Sequence, residues 1–340
     1  MIRRPIYPPN EIALVMRSVL ISLIPSVIAL TTFFGAGVLF NLVTGIATAL
    51  VSEAICLKLR QRPAMPRLTD FSAILTGSLI ALALPQAAPW WLVIAASASS
   101  IILGKHIYGG LGQNPLNPAM LGYAIMIISA PVAMTTLWTN PLATPDLSNA
   151  WMSFLGYNSD ATTAATTLGL YRTEFITMTA VEVMRHPLFQ RAHLGLIYGY
   201  EWVALGYLAG GSWLIYQRII TWHTPVGFLA TLVVISAFFS FDPDTTTPVW
   251  VHLIGGASIF SAFFILTDPV SGATSPKGRF LFAIGVGLLT YLIRTYGQYP
   301  DAIAFSVLLM NFVAPTIDHY TRPRVMGRKA SIRGSGGGPL

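Results

Sequence analysis

Long apolar runs, separated by short polar stretches, dominate this sequence. A helix needs about 20 apolar residues to cross roughly 30 Å of hydrocarbon. Hydrophobic residues make up 54% of the chain and charged residues 10%, which leaves too little polar surface to cover a soluble globule of 340 residues. We therefore expect an all-α polytopic membrane protein. About ten transmembrane helices are predicted, at 13–34, 36–57, 70–87, 90–105, 117–138, 201–217, 224–241, 249–267, 279–295 and 301–317.

The distribution of Lys and Arg predicts how these helices are oriented. Cytoplasmic loops of membrane proteins are enriched in both residues. If the N-terminus is cytoplasmic, most of the 20 basic residues fall in inner loops or in the C-terminal tail, and the outer side keeps Arg172, Arg185, Arg191 and Arg294. This asymmetry accounts for the net charge of +7 without a nucleic-acid partner. It predicts that both termini lie in the cytoplasm.

One long polar insertion divides the predicted helices into two sets of five. We expect a first transmembrane half at 1–138, an extracytoplasmic insertion at 139–200, a second half at 201–320 and a disordered cytoplasmic tail at 321–340. Five helices in each half make the halves enter the membrane in opposite directions, as in an inverted repeat. The repeat is supported by the similarity between YGGLGQNP and YGQYPD, which precede the fifth and tenth helices. Chance similarity of Gly/Pro-rich turns is the alternative explanation.

The residue types also limit the chemistry of the chain. Cys56 is the single cysteine, so an internal disulfide is excluded, and no Cys/His spacing predicts a metal or iron–sulfur site. No glycine-rich nucleotide-binding fingerprint is present. We predict no catalytic residue and no metal ligand in this chain, and any redox cofactor must be organic.

Two stretches share an aspartate that is followed six residues later by a threonine. DATTAATTLG at 160–169 places Thr166 in the outer insertion, with Thr167 as an alternative, whereas DPVSGATSPKGR at 268–279 places Thr274 on the inner side. Hydroxyl residues in such stretches also cap helices and turns. The residues alone leave both interpretations open.

Three longer motifs carry a family resemblance: GKHIYGGLGQNPLNPAM at 104–120, TDPVSGATSPKGR at 267–279 and YGQYPDAIAFSVLLMNFVAPTIDHYTRPR at 296–324. With these motifs the chain resembles the RnfD family of Rnf-type electron transport complexes, and more distantly the NqrB component of the sodium-pumping NADH:quinone reductase. The resemblance covers nearly all of residues 1–330. It implies a multi-pass subunit of the bacterial inner membrane, in a complex that links ferredoxin and NAD and moves Na⁺ or H⁺.

The resemblance also implies a cofactor, FMN, which is joined through its phosphate to a threonine of the outer loop. On this sequence that position is Thr166, within a motif that includes Asp160, Thr163 and Ala165, and Ala164 stands where the family usually has glycine. A separate flavin transferase would attach the FMN. The other implied partners are membrane lipid and the A, B, C, E and G components of the Rnf-type complex, so the chain is expected to be inactive alone.

Polar residues near the inner ends of the predicted helices form a second candidate site. It would take a further flavin, such as riboflavin, or line an ion path, because intramembrane ionisable groups are costly unless they are used or paired. Interfacial anchoring, or pairing with Lys105 and His106, is the alternative. The residues concerned are Asn114, Asn117, Glu53, Asp268, Ser271 and Thr274.

A function from another class fits the composition and the repeat equally well. Inverted five-helix repeats with broken helices also build solute pathways such as those of urea transporters. A non-redox channel or carrier is therefore the alternative prediction, and covalently bound flavin would distinguish the two.

Overall fold

The computed structural model describes residues 9–63, 65–143, 146–157, 163–164, 166–173, 178–239, 247–297 and 302–321. The regular structure of this part of the chain is helical, as expected. The exception is one antiparallel pair of two-residue strands, in which Trp138 lies opposite Ala164 and Thr139 opposite Thr163. Except for Thr321, the tail at 321–340, expected to be disordered, lies outside the described residues.

Eight α-helices lie in the described residues of the first half. Helix α1 is joined to α2 through Leu23, and the two together form one apolar segment, Ile12–Phe34. Helix α6 continues directly into a π-helix, Ile102–His106. The bounds are α1 Pro9–Ser22, α2 Ile24–Phe34, α3 Gly37–Leu59, α4 Met65–Leu68, α5 Ser72–Ala83, α6 Trp90–Ile101, α7 Pro118–Ser129 and α8 Pro131–Thr136.

The insertion contains short helices and the strand pair. Helix α9 contacts α3 through the rings of Trp151 and Phe40, whose centroids are 5.4 Å apart. Its N-cap is Asp146, whose pKa is lowered by hydrogen bonds from the Ser148 hydroxyl and backbone N–H. The bounds are β1 Trp138–Thr139, α9 Leu147–Leu155, β2 Thr163–Ala164, α10 Thr167–Thr173, α11 Ala180–Met184 and α12 Pro187–Gln190.

In the second half, the part that the structure describes contains six α-helices and a second π-helix. The predicted eighth span is broken: α15 ends before Gly255 and Gly256, α16 is short, and the π-helix Ser261–Ile265 follows. Glycine is a poor helix former, which explains where the break lies. The bounds are α13 Tyr200–Tyr216, α14 His223–Phe239, α15 Val249–Ile254, α16 Ser258–Phe260, α17 Pro276–Tyr296 and α18 Ile303–Tyr320.

Three segments of the described part are long and apolar enough to cross a membrane: Ile12–Phe34, Gly37–Leu59 and Pro276–Tyr296. Shorter apolar helices include Ser72–Ala83, Pro118–Ser129 and His223–Phe239. All ten predicted spans overlap helices. The number of spans and the inverted repeat stay predictions.

Small residues bring the helices close together. A Cβ built on Gly45 of α3 would lie 2.9 Å from the Gly77 carbonyl oxygen of α5, and one built on Gly77 would lie 2.7 Å from the Gly45 carbonyl oxygen. Such contacts are typical of helix packing in membranes. Within each half α3 packs on α5 and α6, and α14 packs on α17, while α2 contacts α13 and α7 contacts α18 across the halves.

Candidate functional site

A cleft lies where the two halves meet the insertion. Its volume, part of which is open to solvent, is about 790 Å³, and it is lined by the ends of α2, α5 and α13, by residues of the broken segment 253–260 and by Thr166 and Leu168 of the insertion. Ligand pockets are mostly apolar with a few polar groups. None of the described residues that line this cleft is charged.

Aromatic rings supply much of the cleft wall. The rings of Tyr207 and Phe260 are inclined at 47° with their centroids 4.9 Å apart, and Phe34 contacts Tyr200 edge-on at the same distance. Trp138 lines the cleft as well, and its Nε1 donates to the Met134 carbonyl at 2.9 Å. Planar rings of this kind provide stacking surfaces for a planar aromatic ligand.

Thr166 is half-buried and lines the cleft at the N-terminus of α10. Its Oγ1 accepts a hydrogen bond from the Gly169 N–H at 3.1 Å, so it caps the helix. The neighbouring Thr167, the alternative prediction, is only 1% exposed. The structure therefore distinguishes two adjacent threonines that sequence spacing could barely separate.

The rest of the predicted Thr166 motif is only partly described. Thr163 belongs to β2, where its backbone pairs with Thr139 of β1, so the strand pair ties this stretch to the end of the first half. Asp160 and Ala165 lie outside the described residues.

A buried arginine, Arg294, lies next to Gly256, one of the two glycines at which the helix in the cleft wall is broken. Arg294, near the C-terminal end of α17, is 4% exposed, and its Nη1 donates to the His252 carbonyl at 2.8 Å. A Cβ built on Gly256 would lie 2.7 Å from Arg294 Nη2 and 2.8 Å from Leu168 Cδ1. A side chain at position 256 would require Arg294 or Leu168 to shift.

Asn117 joins the two halves at the start of α7. Its Oδ1 accepts from the Met120 N–H and its Nδ2 donates to the Ile265 carbonyl, each at 3.2 Å. In the amide orientation that suits its neighbours, Asn311 donates to the Ser271 carbonyl at 3.2 Å and accepts from the Asn117 N–H at 2.9 Å. The two loops that were predicted to lie on the inner side are therefore in contact, and we call these four residues, Asn117, Ile265, Ser271 and Asn311, the inner junction.

Asp268 and Thr274, both predicted to lie near the inner side, make hydrogen bonds within their loop and to α18. Asp268 accepts from the Val270 N–H at 3.1 Å and from the Ser271 hydroxyl at 2.7 Å. Thr274 donates through its N–H and its hydroxyl to the Asp318 carboxylate, at 2.8 and 3.0 Å. The Asp268 contacts form a turn of the kind that was the alternative to flavin attachment at Thr274. The N-cap of α17 is Ser275, whose hydroxyl accepts from the Gly278 N–H at 2.9 Å.

The remaining two predicted inner residues are buried. Asn114 donates through Nδ2 to the Leu116 carbonyl at 3.0 Å. Glu53 lies in a separate network, in which Lys105 Nζ contacts its two carboxylate oxygens at 2.6 and 2.7 Å. His106 Nε2 lies 3.7 Å from Glu53 Oε1. The pairing with Lys105, foreseen as an alternative, is confirmed.

Several residues of these sites were not predicted. Arg294 was noted only as an outer basic residue, and the role of Asn311 depends on contacts across the two halves that no local pattern reveals. The adjacent glycines at 255 and 256 did carry a signal, because a Gly-Gly pair inside an apolar run predicts a helix break.

Comparisons with known proteins bear on the whole chain. A family model described as the NQR2, RnfD, RnfE family matches residues 6–327. The chain belongs to this family. The membership confirms the resemblance carried by the motifs at 104–120, 267–279 and 296–324, and it agrees with the apolar helices in indicating a membrane protein.

Individual relatives align over nearly their full length. A protein of Pseudomonas paraeruginosa is 47% identical over 339 residues, covering 98% of this chain and 96% of the relative. One from Marinobacter nauticus is 46% identical over 333 residues, with 94% and 93% covered, and one from Salmonella heidelberg is 43% identical over 334 residues, with 93% and 94% covered. All three are named as the D component of an ion-translocating oxidoreductase complex.

Proposed function

We propose that this chain is a membrane subunit of an ion-translocating oxidoreductase complex and carries FMN joined through its phosphate to Thr166. The names and coverage of the relatives support the first part. The single observation that best supports the second is that Thr166, unlike its buried neighbour Thr167, lines an apolar cleft with aromatic walls.

The site fits the attached group in two respects. The cleft offers Tyr200, Tyr207 and Phe260 as surfaces for a planar ring. Esterification turns Thr166 Oγ1 into an ester oxygen, which keeps a lone pair for the Gly169 N–H, so the cap of α10 is compatible with the modification.

The attachment reaction requires a separate enzyme. Thr166 Oγ1 attacks the FMN phosphorus of FAD, the bond between the two phosphates breaks, and AMP leaves while the hydroxyl proton passes to a base of the flavin transferase. The small residues Ala164 and Ala165 beside Thr166 let such an enzyme approach the backbone.

Bound FMN supplies reversible electron transfer. The chain contributes the threonine that anchors it, the aromatic wall and an apolar enclosure that excludes water. The prevalence of basic residues in the other loops supports a location of this cleft on the outer face of the bacterial inner membrane. The A, B, C, E and G components of the complex would supply the ferredoxin and NAD sites and the further steps of electron transfer.

The broken segment 249–265 gives the cleft a physical connection to the inner junction. Its residues 253–260 line the cleft, and its last residue, Ile265, accepts the hydrogen bond of Asn117. A change at the flavin that shifts this segment would therefore also move the inner loops. Such a movement would couple electron transfer to the transport of Na⁺ or H⁺. A second, non-covalent flavin such as riboflavin would lie between the same inner loops.

In-gel fluorescence tests the flavin assignment. The chain is co-expressed with a flavin transferase, denatured and examined under ultraviolet light, as wild type and as Thr166→Ala, Thr167→Ala and Thr274→Ala. We expect fluorescence in every variant except Thr166→Ala. Fluorescence that persists in Thr166→Ala would move the site, and its absence from the wild type would favour the channel or carrier function.

A further inference from the structure

Two arginines that follow α3 are held against the loop after the first π-helix. Arg60 Nη1 donates to the His106 carbonyl at 3.1 Å, and Arg62 Nη1 donates to the Gly109 carbonyl at 3.3 Å. Both side chains are largely exposed. Each guanidinium has five N–H donors and gives one of them to the backbone, so donors remain on both for an external ligand.

A third arginine, Arg67 of α4, approaches the same loop. A Cβ built on Gly110 would lie 3.3 Å from Arg67 Nη1. We call Arg60, Arg62 and Arg67 the basic cluster. None of the three forms an ion pair with a described carboxylate, since Glu53 of α3 pairs with Lys105 and His106. The positive charge of the basic cluster is therefore not neutralised by the described part of the chain.

The basic cluster lies at the end of a segment that is long and apolar enough to cross a membrane. That segment, Gly37–Leu59, ends one residue before Arg60. Large apolar side chains are exposed beside the cluster: Leu59 is 79% exposed, Met65 74% and Ile107 65%. Unpaired positive charge next to exposed apolar surface, at the end of a membrane-crossing helix, suits a molecule that joins a phosphate to hydrocarbon chains.

We propose that the basic cluster is a binding site for the headgroup of an anionic phospholipid. The guanidinium groups would bind the phosphate oxygens, because their planar donors match phosphate geometry, and the acyl chains would cover the exposed apolar side chains. The position at the membrane boundary favours a lipid over a free phosphate or an acidic protein segment. This inference does not depend on the flavin at Thr166.

Lipid binding to the purified full-length chain tests the site. The chain in detergent is titrated with dioleoylphosphatidylglycerol, with dioleoylphosphatidylcholine or with glycerol phosphate. Bound lipid is counted by native mass spectrometry, and thermal unfolding is followed by tryptophan fluorescence. The wild type is compared with Arg60→Gln/Arg62→Gln and Arg60→Lys/Arg62→Lys. The matched control is Arg185→Gln/Arg191→Gln, which removes two exposed arginines of the insertion.

We expect the wild type and the control to bind phosphatidylglycerol more tightly than phosphatidylcholine and to gain Tm from it. Each basic residue near a membrane surface strengthens the binding of anionic lipid by about fivefold, so Arg60→Gln/Arg62→Gln should weaken it roughly 25-fold. Arg60→Lys/Arg62→Lys keeps the charge and should retain part of the affinity. Added salt should weaken binding to the wild type, because the interaction is electrostatic.

Three results would overturn the proposal. One is equal affinity of the wild type and Arg60→Gln/Arg62→Gln for phosphatidylglycerol, and another is an equal gain in Tm from glycerol phosphate, which would assign the cluster to free phosphate. The third is no preference for the anionic lipid together with failure of this variant to co-purify with the other components of the complex, which would assign the cluster to an acidic protein surface.

A single substitution keeps the test valid if the double variant does not fold. Arg67→Gln removes one charge of the cluster and should weaken the binding of phosphatidylglycerol by about fivefold. Unchanged binding in Arg67→Gln would then count against the proposal.

Discussion

The buried ion pair between Glu53 and Lys105 makes a quantitative prediction. The side chains of Lys105 and Glu53 are 3% and 2% exposed, and Lys105 Nζ contacts both carboxylate oxygens and, at 2.8 Å, the Ser72 hydroxyl. Ser72 in turn donates to Asp70 at 2.5 Å. All three ammonium donors of Lys105 therefore have acceptors, which is the condition under which a buried charge is tolerated.

Removing one partner should cost far more than removing both. Lys105→Met leaves the Glu53 carboxylate buried without its cation, and breaking a buried pair in this way typically costs ~3–5 kcal/mol. Glu53→Gln should cost a similar amount, because it leaves the Lys105 ammonium buried without its anion. Replacing both charges with neutral groups of similar size is often close to neutral, so the double variant should recover most of the lost stability.

The assay is reversible unfolding of the purified chain in detergent, followed by tryptophan fluorescence. The free energy of unfolding is measured for the wild type, the two single variants and the double variant. Lys58→Met is the matched control, because Lys58 is exposed near the end of the helix that carries Glu53. It should change stability by less than ~1 kcal/mol.

The reasoning depends on strong coupling between the two substitutions. Additive effects of Lys105→Met and Glu53→Gln would refute it, because they would mean that the two charges do not stabilise each other. Stability of Lys105→Met that rises with sodium concentration would instead assign Glu53 to the ion path.

Two further predictions concern packing and the inner junction. Gly45→Val should reduce thermal stability markedly, because the valine side chain would collide with the Gly77 backbone. The control Ala47→Val, on the exposed side of the same helix, should be tolerated. Equal effects of the two substitutions in a melting assay would contradict this contact. Asn117→Ala should remove the cap of α7, at a cost of about 1 kcal/mol, and the bond to Ile265. Ion transport in vesicles should therefore fall while flavin occupancy at Thr166 stays unchanged, and loss of flavin in this variant would contradict the separation of the two sites.

The positions of the helices could be predicted from the sequence because apolar length is a local property. The segment 249–267 illustrates the limit, since its length predicted one span and its two glycines divide it into shorter helices. The π-helices were not predicted, because the extra residue in the turn that carries Lys105 and His106 gives no clear periodic signal.

The sites were predictable only in part, and for a physical reason. The motif placed Thr166 in the insertion, but only the packing of α10 distinguishes its hydroxyl from that of Thr167. Arg294 and Asn311 are far along the chain from the residues they approach, so no local pattern predicts their contacts. The pairing of Glu53 with Lys105 was foreseen as an alternative, because a buried carboxylate needs a nearby cation.

Mass mapping of the flavin adduct tests the central claim most directly. Chymotrypsin, which cuts after Tyr157 and Leu168, would release the stretch 158–168 from protein that was co-expressed with the transferase. We predict that this peptide carries the mass of FMN linked by a phosphodiester and that fragmentation places it on Thr166. An adduct on Thr274, or a peptide without added mass in a fully active complex, would contradict the account.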